Sequence, residues 1–435
     1  MLYSFFWILI GSMIALAGMQ VLFIVYYRKI QQQSRLNDTK FADLSAPVPK
    51  VAIVLCLRGP DPTLPDCLAG VLKQRYSNFD LHLVVDSDDD PVIQIATSAL
   101  QTIDSAIDVH WHTVANHSSD CSLKCSALIT AVLSFETQTS TPDIVAFVDA
   151  DALVAPDWLN RLVTPLLNST NKASDESNAI NVGATTGNRW FEPVDSNLGS
   201  QFRAAWNAAA LPQMQIYQVA WGGSLAMKFE TIKKCELLDR WSQAFCEDTM
   251  LADVLREHGL RVQRVPELIV VNQESTTLRS AISWISRQLL TVRLHHRAWL
   301  LILLHALVGG FCFYAPLVVA MIAVVENWPL AIWAVLGWSA QLGFNVGLLN
   351  LIRTITVRGI QQKNLKPAST QGILNKIMVG VVLQAIYPLL AIGAVFRQRV
   401  SWRGIDYRIG RKGQIEMVTY VPYSQVPQQN QHSIQ

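Results

Sequence analysis

The chain has 435 residues with 35 basic and 33 acidic side chains, a net charge of +2. So even a balance argues against a nucleic-acid binder, which needs a concentrated basic surface to neutralise phosphates. Hydrophobic residues make up 51% and charged residues only 16%, against about 25% charged in an ordinary soluble domain. The shortfall is local: stretches 1–27, 298–325, 327–352 and 377–396 contain no Asp, Glu, Lys or Arg. The rest of the chain is charged at the soluble norm. Composition therefore describes a soluble-type domain fixed to a bilayer, not a purely soluble protein, a disordered chain or a disulfide scaffold.

Stretch 1–27 is long enough to cross hydrocarbon, which takes about 20 apolar residues. Its cations follow it, at Arg28, Lys29 and Arg35, where a cleaved signal would carry them in front. The positive-inside rule makes it a retained N-terminal transmembrane anchor with its C-terminal side in the cytoplasm. Residues 28–48 read as a polar linker ending at Pro47 and Pro49. Val51–Leu57, Leu81–Val85 and Ile144–Val148 are continuous apolar runs, the mark of strands buried on both faces. Helical periodicity lies between them, in Cys67–Gln74 and Lys124–Phe135. Alternating strands and helices predict a mostly parallel α/β domain over 49–275, with ligands bound beyond the carboxyl ends of the strands.

Residues 276–297 repeat Leu278, Ile282, Ile285, Leu289 and Val292 at helical spacing, with Arg279, Arg287, Arg293 and Arg297 supplying charge. That pattern predicts a basic amphipathic helix in the membrane interface. Stretch 298–352 reads as a transmembrane hairpin turning at Glu326 on the non-cytoplasmic side. Residues 353–376 carry Arg353, Arg358, Lys363, Lys366 and Lys376, as a cytoplasmic loop does. Stretch 377–396 either crosses or re-enters through Pro388. Residues 397–435 form a basic segment and, from Gln414, a Gln-rich tail read as disordered.

The chemistry is expected at the strand ends. Val148-Asp149-Ala150-Asp151 places two carboxylates just past a buried strand, where both can bend toward one ion. Mg2+ and Mn2+ favour oxygen ligands and often bind through one or two carboxylates plus substrate phosphates. Asp149 and Asp151 are thus candidate metal ligands. The Leu81 strand ends in Asp86-Ser87-Asp88-Asp89-Asp90, and Asp86 or Asp88 is expected to contact a ligand. Cys246-Glu247-Asp248-Thr249 precedes a helical run stopped by Gly259. Asp248 there suits a helix cap and a general base alike. Gly222 and Gly223, in Trp221-Gly222-Gly223-Ser224, permit close backbone approach. Lys124 enters a helix where a cation could meet a diphosphate. Gly187-Asn188-Arg189-Trp190 is an aromatic–cation cluster with no assigned role. The sequence shows no Walker or Rossmann glycine loop, no His-Glu-x-x-His and no Gly-x-Ser-x-Gly. The histidines show no ligand spacing, and His295-His296 reads as an interfacial pair. The seven scattered cysteines read as free thiols.

Asp149-Ala150-Asp151, Trp221-Gly222-Gly223-Ser224 and Glu247-Asp248, in that order after an Asp-rich strand end, resemble the inverting GT-A glycosyltransferases of family 2. The single anchor and C-terminal spans narrow the resemblance to the ceramide glucosyltransferase-like enzymes of family 21. Ser401-Trp402-Arg403-Gly404-Ile405-Asp406-Tyr407 is similar to their Trp-Arg-x-Gly-x-x-Tyr run. The resemblance implies a Rossmann-like GT-A domain with one N-terminal and two to three C-terminal transmembrane helices. It also implies a UDP-sugar donor, UDP-glucose first, a divalent Mg2+ or Mn2+ ion and a ceramide- or diacylglycerol-like lipid acceptor. On this resemblance Asp86 or Asp88 holds the nucleotide, Asp149 supports ribose or metal, Asp151 reaches the metal and Asp248 is the base. Lys124, Gly222, Gly223, Glu247, Arg287 and Gln288 complete the substrate site. The family's Gln/Arg-x-x-Arg-Trp motif is altered to Arg287-Gln288-Leu289-Leu290-Thr291, and Arg287, Gln288 and Arg293 are candidates to replace it. The implied location is a bacterial inner membrane, or the Golgi in a eukaryote. Two alternatives remain: a relative using another UDP-sugar with a polyprenyl, hopanoid or glycan acceptor, and an inactive membrane scaffold.

Overall fold

The computed structural model describes residues 2–37, 48–137, 140–171, 181–360 and 372–426. Part of the expected linker (38–47), Lys363 and Lys366 of the expected loop, and tail residues 427–435 lie outside the described residues.

The first helix, α1 (Leu2–Asn37), does not stop at the end of the apolar stretch but runs on through the basic residues. The α/β domain follows as β1 (Val51–Leu57), α2 (Leu64–Leu72), β2 (Phe79–Val85), α3 (Val92–Gln101), β3 (Val109–Thr113), α4 (Leu123–Glu136), β4 (Ile144–Val148) and α5 (Trp158–Asn171). It continues with β5 (Asn181–Phe191), α6 (Leu198–Tyr217), β6 (Ser224–Lys228), α7 (Phe229–Lys234), α8 (Leu237–Trp241), α9 (Leu251–Glu257) and β7 (Leu260–Asn272). The sheet order is β3-β2-β1-β4-β6-β5-β7. β3, β2, β1 and β4 are parallel, as the alternation predicts. β6 runs antiparallel between β4 and β5.

Side chains alternate across the strands, so each apolar run feeds two cores. Ile53, Leu55, Leu81 and Leu83 pack under α2 and α5 with Leu68 and Leu162. Val54, Val84, Val145 and Phe147 pack on the opposite face with Leu128, Val132 and Trp241. Burying each such side chain contributes roughly 1.5–3 kcal/mol. These cores fix β1, β2 and β4 in parallel register, so their carboxyl ends open on one edge.

α10 (Leu278–His295) is amphipathic as expected, but its faces are used differently. Ala281, Ile285 and Leu289 are buried against α6 and α13 (Ile373–Phe396), and Leu290 is buried on another side of the helix. Arg293 donates to the carbonyls of Ala394 and Val395, and Arg287 turns inward. α11 (Trp299–Glu326) and α12 (Trp328–Val357) form the hairpin, with Asn327 capping α12. α13 is one helix straight through Pro388, which packs on Gly310, so the chain does not turn back there. α1, α11, α12 and α13 are each long and apolar enough to cross a membrane. Leu300, Leu304, Val325 and Trp333 project outward from α11 and α12, as lipid-facing side chains do.

The basic segment after α13 is folded, and the tail expected to be disordered from Gln414 begins with a strand. β8 (Arg399–Trp402), β9 (Ile405–Ile409) and β10 (Ile415–Thr419) form a three-stranded antiparallel sheet. Ile405, Tyr407, Ile409, Ile415 and Met417 alternate inward and bury against Leu123, Phe245 and Leu290. The Tyr407 hydroxyl accepts from the Leu123 amide at 3.1 Å. From Gln414 on, Gln-rich composition concealed this alternation at Ile415 and Met417.

Candidate active site

The site lies where β1, β2 and β4 end. β4 delivers Asp149 and, after one residue, Asp151. Ser122 caps α4 by accepting from the Cys125 amide, which fixes Lys124 in the first turn. Its ammonium lies 2.9 Å from Asp149 Oδ1 and 2.7 Å from Glu247 Oε1. Burial opposes its charge, but Asp149, Glu247 and Asp248 outweigh burial and hold it protonated. Arg189, on β5, bridges Asp149 Oδ2 at 2.8 Å and Asp151 Oδ1 at 2.9 Å. Its guanidinium lies over the Trp221 ring.

The two carboxylates differ. Burial raises both, yet Lys124 and Arg189 pull Asp149 below the usual carboxylate range. Asp151 is pushed up to about 6 by burial, which Arg189 only partly offsets and the Asp149 charge reinforces. Asp151 also accepts from Asn272 Nδ2 at 3.2 Å. Two acids converging on one cation, one of them short of compensation, are a donor set that suits a hard divalent ion. Asp149 and Asp151 fit that role.

Asp248 is not the cap of α9, which begins at Leu251 without a side-chain cap. Its Oδ2 instead accepts from the Gly222 amide at 2.6 Å. Its Oδ1 accepts from Thr249 Oγ1 at 2.9 Å and the Cys246 thiol at 2.8 Å. The glycines are required by close approach. A Cβ on Gly222 would stand 2.0 Å from Glu247 Oε1, and one on Gly223 would stand 2.3 Å from Asp149 Oδ2. Burial raises the Glu247 carboxyl, with Lys124 acting against it.

The acids after β2 separate. Asp86 is buried, paired with Arg58, and accepts from the Tyr420 hydroxyl at 2.9 Å. Asp90 accepts from the Gly59 and Val92 amides, each at 2.9 Å. Asp88 is exposed and accepts from Thr113 Oγ1, so of the two candidates only Asp86 faces the site. Arg287 and Gln288 reach the same cavity from α10. Burial, with Arg403 and Arg189 nearby, lowers Arg287 to about 10. Sequence reasoning missed Arg58, which follows β1, and Tyr420, which lies in the supposed tail. It singled out Arg189 without assigning it a role.

One cavity of about 840 Å3 joins these groups. Asp86, Lys124, Asp149, Asp151, Glu247 and Asp248 line one part. The lining continues over Phe23 of α1, Trp206 of α6, His305 of α11, Leu348 of α12 and Tyr387 of α13. Asp88 and Gly223 are not among the lining residues, although Gly223 packs beneath Asp149.

The carboxylates cluster at the strand ends of an α/β sheet, and their cavity continues among helices apolar enough to cross a membrane; the family match makes the chain a glycosyltransferase. The chain belongs to Glycosyl transferase family 21, whose model matches residues 12–415. No curated protein sequence matches it significantly. Among solved structures it is similar to a mannosyltransferase from Pyrobaculum calidifontis in complex with GDP-Man and Mn2+. That pair shows 16% identity and a TM-score of 0.44, covering 89% of this chain and 99% of the other. Glucosyl-3-phosphoglycerate synthase of Mycobacterium tuberculosis is more distant, at 15% identity and a TM-score of 0.33, covering 56% of this chain and 79% of its own. The same enzyme with Mn2+ and UDP-glucose aligns at 14% identity and 0.31, over 55% and 78%.

Proposed function

We propose that this glycosyltransferase moves a hexose, glucose first among candidates, from a UDP-sugar to a hydroxyl of a ceramide- or diacylglycerol-like lipid, inverting the anomeric carbon. The observation that carries the reading is the single cavity joining Asp248 to side chains of the apolar helices. A water-soluble acceptor has no need of such a passage. A lipid can present its hydroxyl at the carboxylates while its chains stay among α1, α11, α12 and α13.

Asp248 is the base. Its Oδ2 is oriented by the Gly222 amide, and it would take the proton from the acceptor hydroxyl as oxygen attacks opposite the leaving group. Asp86, held by Arg58 and Tyr420, would bind the nucleotide. Lys124 and Arg287 would meet the diphosphate, the latter replacing the missing Arg-Trp pair together with Gln288. A divalent ion, Mg2+ or Mn2+, held by Asp149 and Asp151 would offset charge on the departing UDP. Arg189 would keep those two carboxylates ionised and aligned. On the positive-inside reading the catalytic domain is cytoplasmic, on a bacterial inner membrane or the Golgi.

Purified protein incubated with labelled UDP-sugars and total lipid extract tests this. Label partitioning with lipid supports the reading; label appearing only on a water-soluble acceptor contradicts it. An inactive scaffold would release no UDP from any donor.

A further inference from the structure

A second cluster of ligating side chains lies at the other end of the sheet. Asp80 and His82 alternate on β2, and His110 and His112 alternate on β3, in register with His82 opposite His110. Period-two spacing on adjacent strands puts all four on one face. In the sequence the histidines show no ligand spacing, because the cluster forms only when β2 and β3 pair. About 20 Å of strand separates Asp80 from Asp86 at roughly 3.3 Å per residue, so this cluster cannot serve the donor diphosphate.

Its polar atoms are incompletely satisfied. Asp80 is 5% exposed and His82 0%. Asp80 Oδ1 and His82 Nε2 are both buried without a hydrogen-bond partner, although they lie 3.3 Å apart. Such orphaned groups cost free energy unless something joins them. His110 Nε2 lies 4.0 Å from Asp80 Oδ2, and the three ligand atoms all fall within 4.8 Å of one another. Ligands of a tetrahedral zinc ion stand about 3.4 Å apart, given bond lengths near 2.1 Å. The His82 and His110 rings are stacked, 4.8 Å between centroids and 21° from parallel, so sharing an ion requires the His110 ring to turn out of the stack, for which its 44% exposed side chain has room.

The surroundings suit a metal. Lys50 engages Asp80 Oδ2 at 3.0 Å, and Oδ1 faces His82 Nε2 at 3.3 Å. His82 Nδ1 lies 2.9 Å from His112 Nε2. With Nε2 on an ion, Nδ1 carries the proton and donates to His112, the outer hydrogen bond that orients a ligating imidazole. Phe135 closes the buried side of His82, edge-on at 4.8 Å.

We propose that Asp80, His82 and His110 form a zinc site, with a fourth position open to water beside His110, that ties the edge strand β3 to β2. It is separate from the divalent site assigned to Asp149 and Asp151, and it stands whatever sugar the enzyme transfers.

The test uses full-length protein in detergent, stripped of metal and titrated with Zn2+ against a chromophoric chelator. The expected result is one tight equivalent that His110→Ala weakens at least about tenfold. Asp149→Asn should leave it unchanged. Zn2+ should also raise the thermal midpoint of the wild type and not that of His110→Ala. His110 is partly exposed and its replacement leaves the core intact, so UDP release by this variant should match the wild type. Zinc binding equal in wild type and His110→Ala overturns the proposal. So does a tight equivalent lost in Asp149→Asn, or no tight equivalent at all. In the last case Asp80, His82 and His112 are a buried hydrogen-bonded relay.

Discussion

Strands β2 and β4 both run into acidic residues, Asp86 to Asp90 after one and Asp149 with Asp151 after the other. After β4 both carboxylates converge on Arg189 and line the cavity. After β2 they scatter. Asp86 enters the site, Asp90 holds the start of α3, and Asp88 faces solvent. The denser acidic run therefore gives the site fewer groups. What counts is the direction of the backbone past the last paired residue, and whether a cation from another element waits there. Arg189 comes from β5 to meet the β4 acids. Arg58, one residue beyond β1, reaches only the first of the β2 acids.

Substitutions across the two runs can break that contrast. Asp151→Asn should lower turnover on the order of a hundredfold, because on the proposed reading it removes a carboxylate that holds the divalent ion offsetting charge on the leaving diphosphate; steady-state UDP release checks it. The pH profile sharpens the point. Asp151 titrates near 6, and a protonated carboxyl is a poor metal ligand. Metal-dependent activity should fall as pH drops from about 7 to 5, and adding Mn2+ should move that limb to lower pH. A profile flat through this range contradicts the assignment. Asp86→Asn should raise the donor KM about tenfold with a smaller change in kcat, as loss of a contact that binds ground and transition states alike does. Asp88→Asn should change KM less than twofold and stability by less than about 0.5 kcal/mol. An effect of Asp88→Asn equal to that of Asp86→Asn would erase the distinction between the two.

What the sequence made legible follows the same line. The buried strands, the acids at their ends and the four apolar stretches were readable because each is a local pattern of polarity. Glu247, Asp248 and the two glycines were readable as short motifs. The groups that hold these residues in place were not. Arg189 lies 38 residues from Asp151, and Tyr420 lies 334 from Asp86. No window of sequence contains both partners. Composition misled where it averaged over structure. The Gln-rich C-terminus hides the alternation of Ile415 and Met417, and the arginines of α10 read as interfacial although Arg287 turns into the cavity. Asp248 read equally well as a cap, and only the placement of Gly222 shows its carboxylate aimed elsewhere.

The central claim is that Asp248 takes a proton from an acceptor held in the cavity. It is tested most directly by Asp248→Asn, assayed for transfer of labelled sugar to lipid beside a measurement of UDP-sugar binding. Asn retains an oxygen to accept from the Gly222 amide but cannot accept the proton. The variant should fold, bind donor within about twofold of wild type, and lose on the order of a thousandfold in transfer, within the range for a general base. Transfer at the wild-type rate with donor binding intact would contradict the account.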